Sequence, residues 1–316
     1  MESSSHGRRY AWKAGLVLLL GLAATAAVTW RLAEIIRASD EDRFRNSVAN
    51  AQDAITDRID TYMALLRAGA SYIAAQRDVT REEFHDYVAR LDVTAAYPGI
   101  QGIGWSERIA PEELADRVAA AREDGVDDFR VWPDEERNEY HAIVFLEPLD
   151  RRNQAAIGYD MFTDPTRRAA MEEARDTGLP RATGKVTLVQ EIDERKQAGF
   201  LIYMPVYEGD GVPATVADRR EKLRGFVYSP FRADDLLAGV FAKEGRPHVD
   251  FTVYDGAAEP DSRLHQSAAQ GEGRFQTSET LDIAGRPWTI RYQTRPEFEI
   301  ASWRQFVPVA FAVGAV

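Results

Sequence analysis

Tyr159–Tyr207 reads YDMFTDPTRRAAM, EEARDTGLPRATGKVTLVQ, EIDERKQ and AGFLIYMPVY in succession. In physical terms this is a carboxylate on a tight turn, a short amphipathic helix, and two apolar strands joined by a charged hairpin. Asp160 lies between apolar neighbours beside the turn. A desolvated carboxylate needs hydrogen-bond donors, and the N–H groups of a small ligand would supply them. The same carboxylate could instead cap the helix opening near Asp164-Pro165-Thr166, or pair with Arg167 or Arg168. Residue chemistry alone leaves both readings open.

Outward from this block, the chain alternates helical and strand-like runs. Upstream, His141–Glu147 is a continuous apolar strand ended by Pro148, and Ile100–Trp105 is a glycine-containing strand behind the turn Tyr97-Pro98-Gly99. Pro111 opens a helix that exits at Asp124-Gly125. Thr80 and Glu83 form a capping box for another, with Phe84, Tyr87, Val88 and Leu91 as its buried face. Downstream, Glu208–Glu221 has linker composition. Leu223–Tyr228, Val249–Tyr254, Arg274–Leu281 and Trp288–Gln293 read as strands separated by turn residues. Antiparallel-looking strands interspersed with helices predict an α+β fold rather than a parallel doubly wound sheet.

Ahead of all this, Leu32–Gln76 contains no proline, and Gly69 is its single glycine. Phe44, Val48, Ala51, Ile55, Ile59, Tyr62, Leu66, Gly69 and Ile73 recur at steps of three and four, one face of a helix roughly 65 Å long. That seam is read as a surface for a homodimer, with packing on its own domain as the alternative. The helix grows out of an uncharged run, Ala14–Trp30, flanked by Arg8, Arg9 and Lys13 before it and Arg31 after it. Its length, bracketing tryptophans and leading cations predict a membrane span with a cytoplasmic N-terminus; a cleaved signal peptide is the rival. At the other end the apolar run Phe306–Val316 is read as the start of a second span.

Composition narrows the function classes. The 316-residue chain has a net charge of −12 and no cysteine. That excludes thiol chemistry and disulfides, and argues against a nucleic-acid partner. None of the five histidines, including His248, is spaced from another as a metal ligand would be. Gly99, Gly102 and Gly104 lack dinucleotide-loop spacing. No nucleophile, base and orienting group assemble, so a hydrolase reading falls behind a binding one, with no catalytic residue, cofactor or metal expected.

The block GYDMFTDPTRRAAMEEARDTG…TGKVTLVQE…QAGFLIYMPVY, with the later LRGFVYSPF, resembles a CHASE domain over roughly Tyr97 to Leu237. This is the sensory module of plant cytokinin-receptor kinases and of many bacterial histidine kinases and diguanylate cyclases. The resemblance implies a long helix followed by two PAS-like α+β units. It also implies ligand contacts from Asp160, Thr177, Ala182 and Thr183, with Phe200 and Tyr203 on the strand lining the floor. The bare reading of Thr177 is instead a residue shaping the helix exit, and of Phe200 and Tyr203, core. A cytokinin-like purine is one candidate ligand; the strongly charged hairpin Glu191–Gln197 departs from a rim suited to an apolar hormone side chain.

The expected organisation is a cytoplasmic N-terminus (1–13), a transmembrane helix (14–32) and a stalk helix (33–78). A membrane-distal sensing subdomain (79–215), a membrane-proximal subdomain (216–304) and the start of a second span (305–316) follow. The chain would sit in the cell inner membrane as a multi-pass protein with residues 31–304 in the periplasm. Its partners would be an unidentified small molecule, the membrane and a second copy, and its missing output domain a histidine kinase or diguanylate cyclase. The rival from another class is a dimerising or partner-protein-binding module without a small-molecule ligand.

Overall fold

A proline-free run from Ser4 to Ala75 forms one continuous helix, α1. The computed structural model describes residues 4–76, 78–97, 99–192, 194, 196–241, 249–267, 273–300 and 302–314. His248, and Ala315 and Val316 of the expected second span, lie outside the described residues.

Behind α1 come α2 (Arg81–Leu91), α3 (Val93–Ala96), β1 (Ile103–Ile109), α4 (Leu114–Glu123) and β2 (Tyr140–Glu147). Then follow α5 (Arg151–Gln154), a 3-10 turn over Met161–Thr163, α6 (Pro165–Thr177), β3 (Arg181–Ala182), β4 (Gly199–Tyr207), α7 (Val216–Glu221) and β5 (Leu223–Arg232). The last part holds α8 (Ala233–Val240), β6 (Val249–Asp255), β7 (Arg263–Gln266), β8 (Gln276–Ile283) and β9 (Arg286–Thr294). Two short helices, α9 (Pro296–Ile300) and α10 (Val307–Gly314), finish it.

The fold is mixed helix and sheet, as expected. Two antiparallel sheets follow the long N-terminal helix, one with strand order β2-β1-β5-β4-β3 and one with order β7-β6-β9-β8. Strand β5 lies beyond the boundary drawn at residues 215 and 216, yet it sits between β1 and β4 in the first sheet. The first unit therefore extends through Arg232, because backbone pairing overrides the linker composition of Glu208–Glu221.

The first sheet is covered on both faces, and β4 shows it. Phe200, Ile202, Met204 and Val206 join the core shared with α1 and the second sheet. Leu201, Tyr203 and Tyr207 join a separate core with Met161, Phe162 and α6. Two-sided burial is why this strand reads as unbroken apolar sequence rather than as an alternation. The entrances of α2 and α6 are capped as their sequences suggest. Thr80 Oγ1 accepts from Glu83 N at 3.3 Å while Glu83 Oε2 accepts from Thr80 N at 3.0 Å, and Asp164 Oδ1 accepts from Arg167 N at 2.9 Å.

The α1 seam is buried against its own chain, from Phe44 through Ile73. A Cβ added to Gly69 would meet Val227 Cγ1 at 3.1 Å, so the helix lies close on β5. The face read as a dimer surface is thus occupied within one chain: helical spacing reveals that a face is buried, not what covers it. Nearer the apolar end, buried Asp40 accepts from Ser302 Oγ at 2.6 Å and from Arg43 Nη2 at 3.1 Å. Arg43 also donates to Phe298 O at 2.9 Å and lies 4.0 Å over the Phe298 ring. This clasp fastens α1 to the C-terminal segment.

From Gly15 onward α1 carries a window of mean hydropathy 1.8 with none of it buried. Among the described residues it is the one helix long and apolar enough to cross a membrane. The eight-residue α10 packs against α1.

The two sheets are joined directly. Phe200 stacks on Phe231 at 5.0 Å and meets the edge of Trp288 at 4.9 Å. Ala182 N donates to Ala284 O at 3.0 Å, and Lys185 N to Asp255 Oδ2 at 2.8 Å, where Arg286 also pairs. Replacing buried Ile59 by alanine is expected to destabilise the chain by about 2–4 kcal/mol. Denaturant unfolding in detergent micelles measures this, and the loss should not depend on protein concentration. A loss that grows on dilution would mean that the seam is shared between copies.

Candidate functional site

Asp160 is fixed by backbone before its carboxylate does anything. Residues 158–160 run beside β2: Gly158 N donates to Ile143 O at 2.8 Å and Ile143 N to Tyr159 O at 3.0 Å. Asp160 N donates to Trp132 O at 2.8 Å. The fully buried carboxylate then accepts through Oδ1 from His141 N at 2.9 Å and Phe162 N at 3.1 Å, capping the 3-10 turn. The capping reading is therefore realised, but on Met161–Thr163; Asp164 caps α6. The ion partner is neither Arg167 nor Arg168. Arg167 donates to Tyr159 Oη and Thr187 O, and Arg168 to Phe162 O. Arg137, from the loop before β2, places Nη1 3.5 Å from Asp160 Oδ2.

Oδ2 is buried and has no hydrogen-bond partner among the described residues. Burial raises the Asp160 carboxyl above the ordinary aspartate value, against the pull of the two N–H donors and of the charges of Arg137 and, more weakly, Arg168. Its surroundings repeat the pattern. His141 is fully buried, its ring stacked on Phe162 at 3.9 Å and tilted toward Phe226 at 5.5 Å. Neither ring nitrogen has a hydrogen-bond partner among the described residues. Burial, helped by the charges of Arg108 and Arg175, holds the imidazole well below its usual pKa, so it is neutral with one donor and one acceptor.

Two hydroxyls complete the set. Ser106 pairs in register with Ile143 and Phe226, and Tyr228 with Gly104 and Tyr203. Both are fully buried, and Ser106 Oγ and Tyr228 Oη lack partners among the described residues. The Tyr228 ring lies where a Cβ on Gly104 would be, which is why a glycine stands opposite it. The Tyr203 hydroxyl, pushed up by burial, donates to Met161 Sδ at 3.0 Å.

Of the residues singled out from sequence, the structure brings Asp160 and Tyr203 to this face. Thr183 is buried nearby on the β3–β4 pairing, its hydroxyl already used: it donates to Gly184 O at 2.7 Å and accepts from Leu201 N at 3.0 Å. Phe200 and Ala182 belong to the core on the opposite face. Thr177 is exposed at the end of α6, donating to Glu173 O at 2.7 Å. It therefore shapes the helix exit.

Ser106, His141, Tyr228 and Arg137 escaped sequence reading. The available signal was a lone polar residue inside an apolar strand: histidine opening HAIVFLE, serine in IGWSERI, tyrosine in GFVYSPF. Among the described residues no three His, Asp or Glu side chains are placed to hold a metal ion. Chemically, the face offers a carboxylate oxygen, a neutral imidazole and two hydroxyls among aromatic rings.

The CHASE domain family model matches residues 77–265. Hybrid signal transduction histidine kinase A of Dictyostelium discoideum is 23% identical over 252 residues, which cover 69% of this chain and 12% of that protein. A solved structure, an extracellular ligand binding receptor from Desulfohalobium retbaense, superposes with a TM-score of 0.48 at 12% identity, over 80% of this chain and 40% of that one. The chain thus spans a small part of the kinase and less than half of the receptor chain. The family match runs through the whole first sheet, including Asp160 and His141, and the chain belongs to the CHASE domain family.

Proposed function

We propose that this chain is the extracytoplasmic sensing region of a transmembrane signalling receptor. It takes a small molecule on the Asp160 face of a membrane-distal, PAS-like unit. A second, membrane-proximal PAS-like unit and α1 would pass occupancy to an output domain, with a histidine kinase the class suggested by the Dictyostelium relative. The visible chain would do no chemistry itself.

The observation that carries this reading is that His141, Ser106 and Tyr228 carry buried polar atoms with no hydrogen-bond partner among the described residues, on the same face as the Asp160 carboxylate, whose Oδ2 has only the ion pair with Arg137 at 3.5 Å. Each such group costs about 1–3 kcal/mol when left unpaired. In folded chains such groups call for a partner, which a bound ligand or an ordered water supplies. Binding would signal only through unequal affinity for two arrangements of the receptor.

A second reading is a partner-binding module without a small-molecule ligand. It is favoured by the packing around Asp160, where Met161, Phe162 and the His141 ring fill the space and the two large cavities lie elsewhere.

A thermal-shift screen of the full chain with purines, amino acids and small organic acids separates the two. Any compound that stabilises the wild type should bind Asp160→Asn about tenfold or more weakly, given the strength of hydrogen bonds to charged groups. Circular dichroism should show an unchanged fold. Equal binding by the variant would remove Asp160 from the site, and a screen without any stabilising compound would favour the second reading.

His141 gives an independent, ligand-free expectation. Its folded pKa is lowered, so the unfolded chain takes up a proton below about pH 6.5 while the folded chain does not. The stability it contributes is present above that pH and lost as pH falls toward the folded value. Asp160, with its raised pKa, works in the opposite sense, from the ordinary aspartate value upward. Relative to His141→Leu, the wild type should therefore lose up to about 1.4 kcal/mol of unfolding free energy per pH unit below about pH 6.5. Parallel pH profiles for the two proteins would show that the imidazole is solvated.

A further inference from the structure

On the other side of β1 lies a cavity of about 740 Å³, walled by the α1–α2 turn, α4 and strands β1, β2 and β5. Successive strand residues point to opposite faces. Trp105 and Glu107 line this cavity, whereas Ser106 between them belongs to the Asp160 face. The floor carries Trp105, Phe129 and Phe145. Its size is that of small-molecule sites in general.

The charge balance says which ligand it fits. Each of its three arginines is already engaged. Arg117 pairs with Glu107, and Arg108 Nε with Glu139 at 2.9 Å. Arg108 Nη1 also donates to Arg220 O at 3.1 Å, and Arg224 Nη1 to Ile73 O and Gln76 O, both at 3.0 Å. The carboxylates are in excess. Asp78, Glu113, Glu123, Glu208 and Glu221 line the cavity without an ion-pair or side-chain hydrogen-bond partner among the described residues. Burial raises the Glu107 carboxyl against the pull of Arg117 and Arg224, with a smaller push from the charge of Glu113. An anion would find no free cation among the described lining residues. Among the described residues no metal-holding cluster exists either, so a bare metal ion has no cage. Apolar walls beside carboxylates in excess suit a cation with a hydrocarbon body.

We propose that this cavity is a second ligand site, distinct from the Asp160 face, and that it takes a small organic amine or diamine. The ammonium group lies against the rim carboxylates, Glu113 and Glu208 foremost, and the hydrocarbon part against Trp105, Phe129 and Phe145. The site does not depend on the Asp160 face binding anything.

The probe is 1,4-diaminobutane, added to the full chain in lipid nanodiscs and followed by calorimetry, with sodium chloride at equal ionic strength and magnesium chloride as controls. Saturable binding with a Kd on the order of 1 mM or tighter is expected. It should weaken about tenfold or more in Glu113→Gln/Glu208→Gln, and be unchanged in Asp160→Asn. Heat reproduced by either salt, the absence of saturation, or a double variant binding as tightly as wild type would each overturn the proposal. Binding lost in Asp160→Asn but kept in the double variant would place the amine across the sheet and overturn it as well.

Discussion

One helical face, buried from Phe44 to Ile73, is what both sheets have in common. Its residues belong to a single core with Phe200, Ile202 and Phe231 of the first sheet and Phe251, Trp288 and Ile290 of the second. Fully burying a large apolar side chain contributes about 1.5–3 kcal/mol. A seam of such residues therefore makes α1 part of each sheet's stability rather than a connector between membrane and domain. Among the described residues neither sheet has another helix of that length to lie on. The positions of the two sheets relative to the apolar end of α1 follow from the same contacts.

The two-sided cover of the first sheet has a cost at its polar positions. Where a side chain can be satisfied locally it is: the Thr183 hydroxyl bridges Gly184 and Leu201 within the sheet. Ser106, His141, Tyr228 and one oxygen of Asp160 have no such local solution among the described residues. They are held in place by neighbours whose own roles are structural, such as the glycine beneath Tyr228 and the backbone donors that grip Asp160 Oδ1. A chain that satisfied every local rule would have put apolar residues at these positions. These four lie on one face of the first sheet, and the proposed site rests on them; other buried polar atoms without a hydrogen-bond partner, such as Trp288 Nε1 and Tyr292 Oη, lie in the second sheet.

Much of the architecture could be read from local pattern. The absence of proline and the three–four spacing gave α1, Thr80 and Glu83 gave the start of α2, and apolar runs gave β2 and β4. What could not be read was non-local. The spacing of the seam said that it was covered but not by what. The linker composition before Leu223 hid the return of β5 to the middle of the first sheet. In sequence Phe200 and Tyr203 read together, as floor or as core, whereas they face opposite sides of the sheet. The set around Asp160 draws on β1, β2, β5 and a loop arginine, elements spread over more than a hundred residues. Single polar residues in apolar strands were the available trace of it, and they are weak until pairing brings them together.

The clasp at Asp40 divides α1 into two arms. At 1.5 Å per residue, roughly 50 Å of helix separates Asp40 from Ile73 beside the cavity, and roughly 40 Å separates it from Gly15. Ser302, Arg43 and Phe298 hold the helix where these arms meet. Because the arm from Phe44 to Ile73 is packed into the core of both sheets, α1 would act as a lever only if the sheets turned with it about this point. A sideways displacement of about 1 Å at the far end of the sheets would appear as roughly 0.8 Å in the opposite sense at the start of the apolar stretch. In such a turn little amplitude would be lost over the distance, and the direction would be reversed at Asp40.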